Sequence, residues 1–135
     1  MYLKSRTSLS VLMVAFTLVL GCGDSNPGGQ QPTGETKLTL EVTVSPDPPT
    51  VGQNTMTITV TDQDGKAVTG ATITVDPQMP MHGHGSSEAA VVEDQGAGTY
   101  RAHPVTFQMP GSWEVTVKAT SGEVTSSKVL TYDVK

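Results

Sequence analysis

The sequence predicts an all-β fold, an immunoglobulin-like antiparallel β-sandwich of about seven strands. Two observations point there, and a third says what must hold the fold. Apolar residues alternate with polar ones at a period of two through the chain after residue 36, and no segment holds a helical period over a useful length. Clusters of Gly, Pro and Asp interrupt the alternation at short intervals, as turns between strands do. With one cysteine there is no disulfide framework, so burial and backbone hydrogen bonding alone must hold the domain.

The first strand carries Leu38, Leu40, Val42 and Val44 inward and Lys37, Thr39, Glu41 and Thr43 outward. It ends where Pro46, Pro48 and Pro49 remove the donors a ladder needs. The second buries Met56, Ile58 and Val60 between exposed threonines. A turn at Asp62-Gln63-Asp64-Gly65 leads into the third, with Ala71, Ile73 and Val75 inward and Asp76-Pro77 as its end. A weaker fourth strand covers Ala89 to Glu93, and the glycines around Ala97 turn it into a fifth. There the inward set changes parity, from Tyr100 and Ala102 to Val105 and Phe107, across His103-Pro104, which predicts a bulge or an edge position. Trp113, Val115, Val117 and Ala119 make the sixth strand. After Ser121-Gly122, Leu130, Tyr132 and Val134 make the seventh. Aromatic residues are 4% of the chain, so the core is expected to be Val, Ile and Leu around Trp113, with Tyr100, Phe107 and Tyr132 as its candidate partners. Trp113→Ala is then expected to be among the most damaging single changes.

The first residues precede this domain and have another character. Lys4 and Arg6 come before a stretch from Leu9 to Leu20 that is apolar except for Ser10 and Thr17, the layout of a secretory signal. That run is too short to cross a bilayer comfortably as a helix. It ends in Val19-Leu20-Gly21-Cys22, which resembles the lipobox of bacterial lipoproteins and implies that Cys22 is acylated, with palmitate for example, and becomes the new N-terminus. The other reading is a conventional signal that leaves a free thiol, an unusual outcome in an exported chain. Residues 1–21 are thus expected to be a lipoprotein signal peptide, 22–36 the lipidated Cys22 and a flexible linker, and 37–135 the sandwich domain. Loss of Lys4 and Arg6 takes the net charge from −5 to −7. So acidic a chain is a poor partner for nucleic acid, and a monomer held to a membrane through its lipid is expected. Gly23 follows Cys22, and Asp24 stands one place later than the aspartate of an inner-membrane retention signal. The expected location is the cell envelope, facing the periplasm, with the outer membrane preferred over the inner.

One segment does not read as sandwich sequence. Met79-Pro80-Met81-His82-Gly83-His84-Gly85 puts two thioethers and two imidazoles within a few residues, with Pro80 stiffening the backbone and the glycines letting it curl. Thioether sulfur favours Cu(I), and imidazole suits Cu(I), Cu(II) and zinc, so copper is the expected metal and Cu(I) the favoured state. In an oxidising compartment, where thiolates are oxidised, methionine and histidine stay usable. Met79, Met81 and Met109 each adjoin a proline in what read as loops, where methionine gains little from burial. If antiparallel strands cross the sandwich in turn, the third-to-fourth and fifth-to-sixth loops share one end, which brings Met109 toward Met79, Met81, His82 and His84. That end should face away from the membrane. The competing reading is that Met79 and Met81 cap the core while His82 and His84 solvate a glycine-rich loop. His103, ahead of Pro104 in a strand, is as readily an exposed or edge histidine as a weaker sixth ligand. Asp62 to Gly65 starts like a calcium loop, but Ile73 stands where the twelfth-position glutamate belongs, so it reads as a turn. No Ser, His and acid grouping has a nucleophile context, and no enzyme is expected.

With those residues in place, the domain resembles the YtkA-like family, related to FixH-type proteins, of small exported or anchored β-sandwiches associated with copper. The matching pieces are Asp64-Gly65-Lys66 with Val68 and Ala71, then Met79-Pro80-Met81-His82-Gly83-His84, Gly98-Thr99-Tyr100 and Met109-Pro110-Gly111-Ser112-Trp113. The resemblance implies an accessory role in copper handling, such as delivery to an oxidase or tolerance of excess metal, with a copper donor or acceptor protein as partner. It transfers ligand candidacy to Met79, Met81, His82 and His84. The alternative function is a non-enzymatic immunoglobulin-like adhesion or scaffolding module that binds a protein partner through the same loops. A sugar-binding sandwich is a weaker third, because so few aromatics leave few stacking platforms.

Overall fold

The structure is a computed structural model and describes residues 37–135. The signal peptide, Cys22 and the linker, expected over residues 1–36, lie outside the described residues. The described part is all β: β1 (Thr39–Ser45), β2 (Gly52–Thr61), β3 (Thr72–Met79), β4 (His84–Gly85), β5 (Val91–Gly96), β6 (Thr99–Phe107), β7 (Gly111–Ser121) and β8 (Val124–Val134). Two four-stranded antiparallel sheets form, ordered β1-β2-β6-β5 and β4-β3-β7-β8. This is the immunoglobulin-like arrangement, with the expected seven strands present and the two-residue β4 added.

Alternation decides which residues fill the space between the sheets. Met56, Ile58 and Val60 of β2, Tyr100, Ala102, Val105 and Phe107 of β6, and Trp113, Val115, Val117 and Ala119 of β7 are buried, as their period of two requires. Phe107 is the aromatic partner of Trp113, at 5.4 Å between ring centroids, and Tyr132 packs on the far side of Phe107 at 6.4 Å.

The parity change in β6 is a bulge. Asn54 pairs with Val105 and Met56 with Ala102, so Thr55 alone stands opposite His103 and Pro104. Two residues against one is the geometry of a bulge, and it lets both halves of β6 face the core. The edge alternative fails, because β6 is flanked by β2 and β5.

The third strand runs further than its proline suggested. Pro77 pairs with Val115 inside the ladder, and its carbonyl accepts from the Ser86 amide at 3.0 Å on the opposite side, toward β4. In an antiparallel strand one residue's amide and carbonyl point the same way, so the missing N–H of Pro77 faces the short edge strand and costs β7 nothing. The alternation continues as Ile73, Val75, Pro77 and Met79. The fourth expected strand is displaced: β5 begins at Val91 because Ser86 and Glu88 close a hydrogen-bonded turn before it.

The sheets are tied along one side by residues of β8. The Leu38 amide donates to Ser126 Oγ at 2.9 Å, and Lys128 Nζ donates to the Leu40 carbonyl at 3.1 Å. Both side chains share the parity of Val124, Leu130, Tyr132 and Val134, so an ammonium occupies an inward register on an edge strand. A second chain adding there would have to displace it.

Candidate metal centre at one end of the sandwich

Antiparallel pairing throughout sends the connections alternately to two ends. The segment between β3 and β5 and the β6–β7 loop share one end with the β1–β2 loop, as expected. The β2–β3 connection and the turns after β5 and β7 occupy the other, where β1 begins.

The Met/His segment is the tip of a β-hairpin. Met79 pairs with His84 and Gln78 with Gly85, which leaves Pro80, Met81, His82 and Gly83 as the loop. The Met79 carbonyl accepts from the His82 amide at 3.1 Å and from the Gly83 amide at 3.0 Å, and this double acceptance folds the tip back on itself. Gly85 lies beneath the Gln78 amide group, which a β-carbon there would strike at 2.5 Å.

Register then fixes which donors are free. Met79 and His84 are a cross-strand pair on one face, and that face looks into the sandwich. Met79 is 2% exposed, with its methyl against Gly111, so the expectation that it lies in a loop without burial is corrected: it ends β3 and belongs to the core. His84, one strand further out, is half-buried with its ring in a T-shaped contact with the Trp113 indole, at 5.9 Å between centroids and an interplanar angle of 72°. Its Nδ1 has only a long contact, 3.4 Å, to the Gly85 carbonyl. Met81 is 87% exposed and His82 is exposed. The rings of His82 and His84 are 5.9 Å apart between centroids. Thus Met79 does cap the core, as one reading had it, while Met81 does not.

Met109 comes from the other loop. It is 36% exposed, and its carbonyl accepts the Trp113 Nε1 hydrogen at 3.0 Å. Since the same indole meets His84 and Met79 touches Gly111, the hairpin and the Met109 loop are brought together although about thirty residues separate them in sequence. Gly111 has φ of +135°, a conformation that side chains avoid, and a β-carbon on it would lie 2.5 Å from the Met79 methyl. Beside these residues, burial and the Asp47 carboxylate raise the pKa of Tyr132, whose phenol stays neutral at neutral pH.

His103 stands apart from this group. It sits in the β6 bulge, half-buried, with Nδ1 at 3.1 Å from Thr55 Oγ1 and 3.3 Å from the Asn54 carbonyl. Those partners lie on β2, opposite the bulge, so the ring holds the irregular pairing in place.

Among the described residues no group of three or more His, Cys, Asp or Glu side chains converges as on a metal ion. The donors gathered at this end are instead two imidazoles and exposed thioethers, a soft set. Asp62 is accounted for locally, because its Oδ1 accepts from the Asp64 and Lys66 amides, both at 2.9 Å, and closes a turn.

Asn54 goes unremarked in the sequence, and Tyr100 is expected there only as an inward core residue. Asn54, 1% exposed, accepts from the Thr50 amide and donates to the Thr50 and Gly52 carbonyls, so it braces the loop into β2. The Tyr100 hydroxyl donates to the Val68 carbonyl at 2.8 Å and accepts from the Ala71 amide at 2.9 Å, which closes the connection into β3. A polar residue in phase with Met56 and Ile58, and a tyrosine in an apolar phase, were the available signals.

The sequence model of the YtkA-like family matches residues 33–118. Among solved structures the chain is similar to the crystal structure of a DUF4426 family protein from Pseudomonas aeruginosa PAO1, with 13% sequence identity, a TM-score of 0.52, and coverage of 76% of this chain and 93% of that one. At that identity the likeness speaks for the fold. No curated protein matches the chain.

Proposed function

The chain belongs to the YtkA-like family, and from that premise we propose that it is an exported, lipid-anchored, non-enzymatic protein that binds copper as cargo at the β3–β4 hairpin. One observation carries the reading. The hairpin tip presents Met81 and His82 to solvent, with His84 beside them and Met109 on the adjoining loop, and the set consists of thioether and imidazole donors. Such a set favours Cu(I) over Cu(II). The residues that would hold the ion are Met81, His82, His84 and Met109. Met79 differs in being packed against Gly111, so its substitution reports on the core as well as on binding. His103 is left out, because its ring braces the bulge.

The anchor in this proposal is lipid on Cys22, joined to the sandwich through the residues that precede β1. Because β1 begins at the end of the sandwich opposite the hairpin, the donors would face the periplasm. There the cargo could pass to or from a copper donor or acceptor protein.

An anaerobic Cu(I) titration against a chromophoric chelator tests this, on the chain from Thr36, which includes the whole described core. Tight binding of one ion, lost when Met81, His82 and His84 are changed to alanine together, is the expected result. Affinity no better than micromolar, or indifference to the triple substitution, would refute the proposal.

A further inference from the structure

Trp113 is the only tryptophan in the chain and is 0% exposed, at the start of β7. Packing against Phe107 explains its benzenoid bulk but not where its edges point. A buried indole N–H needs an acceptor, and this one uses the carbonyl of Met109, four residues earlier in the loop from β6. That bond fixes the Met109 backbone and leaves its thioether partly exposed. The same indole lies in a T-shaped contact with the His84 ring, which the Met79–His84 register delivers to it from the hairpin. One rigid side chain therefore touches both segments that bring soft donors to this end.

We infer that Trp113 is the positioning residue of the proposed metal centre, holding His84 and Met109 in a fixed relation before an ion arrives. The inference rests on the copper reading above. Without the indole the His84 ring and the Met109 backbone would each be fixed only on binding, and that ordering would weaken the affinity. The indole is a positioning residue rather than a ligand, since its one donor nitrogen is committed to Met109.

The test uses two measurements on the chain from Thr36. All tryptophan emission comes from Trp113, so Cu(I) added anaerobically should change that emission and saturate at the same ratio as chelator competition; His84→Ala should abolish the change. Emission indifferent to Cu(I) while competition shows tight binding would overturn the inference and leave the copper reading standing. Absence of binding by competition would overturn both. In the second measurement Trp113→Phe keeps a ring against Phe107 but removes the N–H. Its Cu(I) affinity should fall about threefold to tenfold, the range of one hydrogen bond, and Met109→Ala should cost less affinity in that background than in the parent. A folded Trp113→Phe chain with parental affinity would overturn the inference. Should that variant fail to fold, the emission result on the unmodified chain decides.

Discussion

The two ends of the sandwich are built from different chemistry. At the end where β1 begins, polar groups are consumed locally: Asp62 closes its own turn, the Tyr100 hydroxyl bridges Val68 and Ala71, and the Val60 amide donates to the Gly98 carbonyl at 2.8 Å. Gly98 lies so close to the Val60 carbonyl that a β-carbon would come within 2.8 Å of it. At the other end the backbone is just as closely held, by the Met79 carbonyl and the Trp113 N–H, but the side chains it carries are left without strong partners. A shared method of fixing backbone thus ends in saturation on one side and in available donors on the other. The segments that carry the sequence resemblance divide the same way, Gly98-Thr99-Tyr100 lying at one end and Met109-Pro110-Gly111-Ser112-Trp113 at the other.

Substitutions can break that contrast, and the largest effect belongs to the residue joining core and hairpin. Trp113→Ala should lose about 3–5 kcal/mol of unfolding free energy in urea, because a fully buried ring leaves a cavity. Tyr100→Phe, at the opposite end, leaves the Ala71 amide and the Val68 carbonyl without their partner and should cost about 1–3 kcal/mol, with Cu(I) affinity unchanged by chelator competition. Gly111→Ala forces a side chain into positive φ against the Met79 methyl; a loss of about 1–3 kcal/mol, together with weakened Cu(I) binding, is expected. His103→Ala should cost about 1 kcal/mol through its lost hydrogen bond and leave Cu(I) affinity intact, and a drop in affinity there would return His103 to the ligand set. Met81→Ala should be the mildest in urea, within about 0.5 kcal/mol, since its side chain is almost wholly exposed, yet among the most damaging to Cu(I) binding.

Much of this was legible in the sequence, and the misses have identifiable causes. Alternation gave the inward faces of β1, β2, β6 and β7 because those strands are long enough for a period of two to show. The hairpin strand β4 is two residues long and has no period to read. Pro77 hid the last residues of β3, since a proline's tolerance depends on which side of the strand carries a neighbour, a fact of sheet order rather than of local sequence. Had the alternation been carried through Pro77, it would have placed Met79 in the core. The parity change at His103-Pro104 was visible, but choosing bulge over edge required knowing that β5 covers β6. The meeting of Met109 with the hairpin followed from counting strands. The part of Trp113 in that meeting did not, because a hydrogen bond to a carbonyl and an edge contact with a ring leave no mark on composition or period.

The double acceptance by the Met79 carbonyl bears on how this protein can change over generations. The tip is folded by backbone groups alone, and Met81 and His82 project from it without packing on the core. Replacing a thioether by an imidazole there, or the reverse, exchanges one exposed side chain for another and leaves the hairpin's main-chain bonds in place. Under the copper proposal, metal preference and fold stability could therefore drift independently, with the tip as the variable part and the residues beneath it, Met79, Gly111 and Trp113, as the fixed mould.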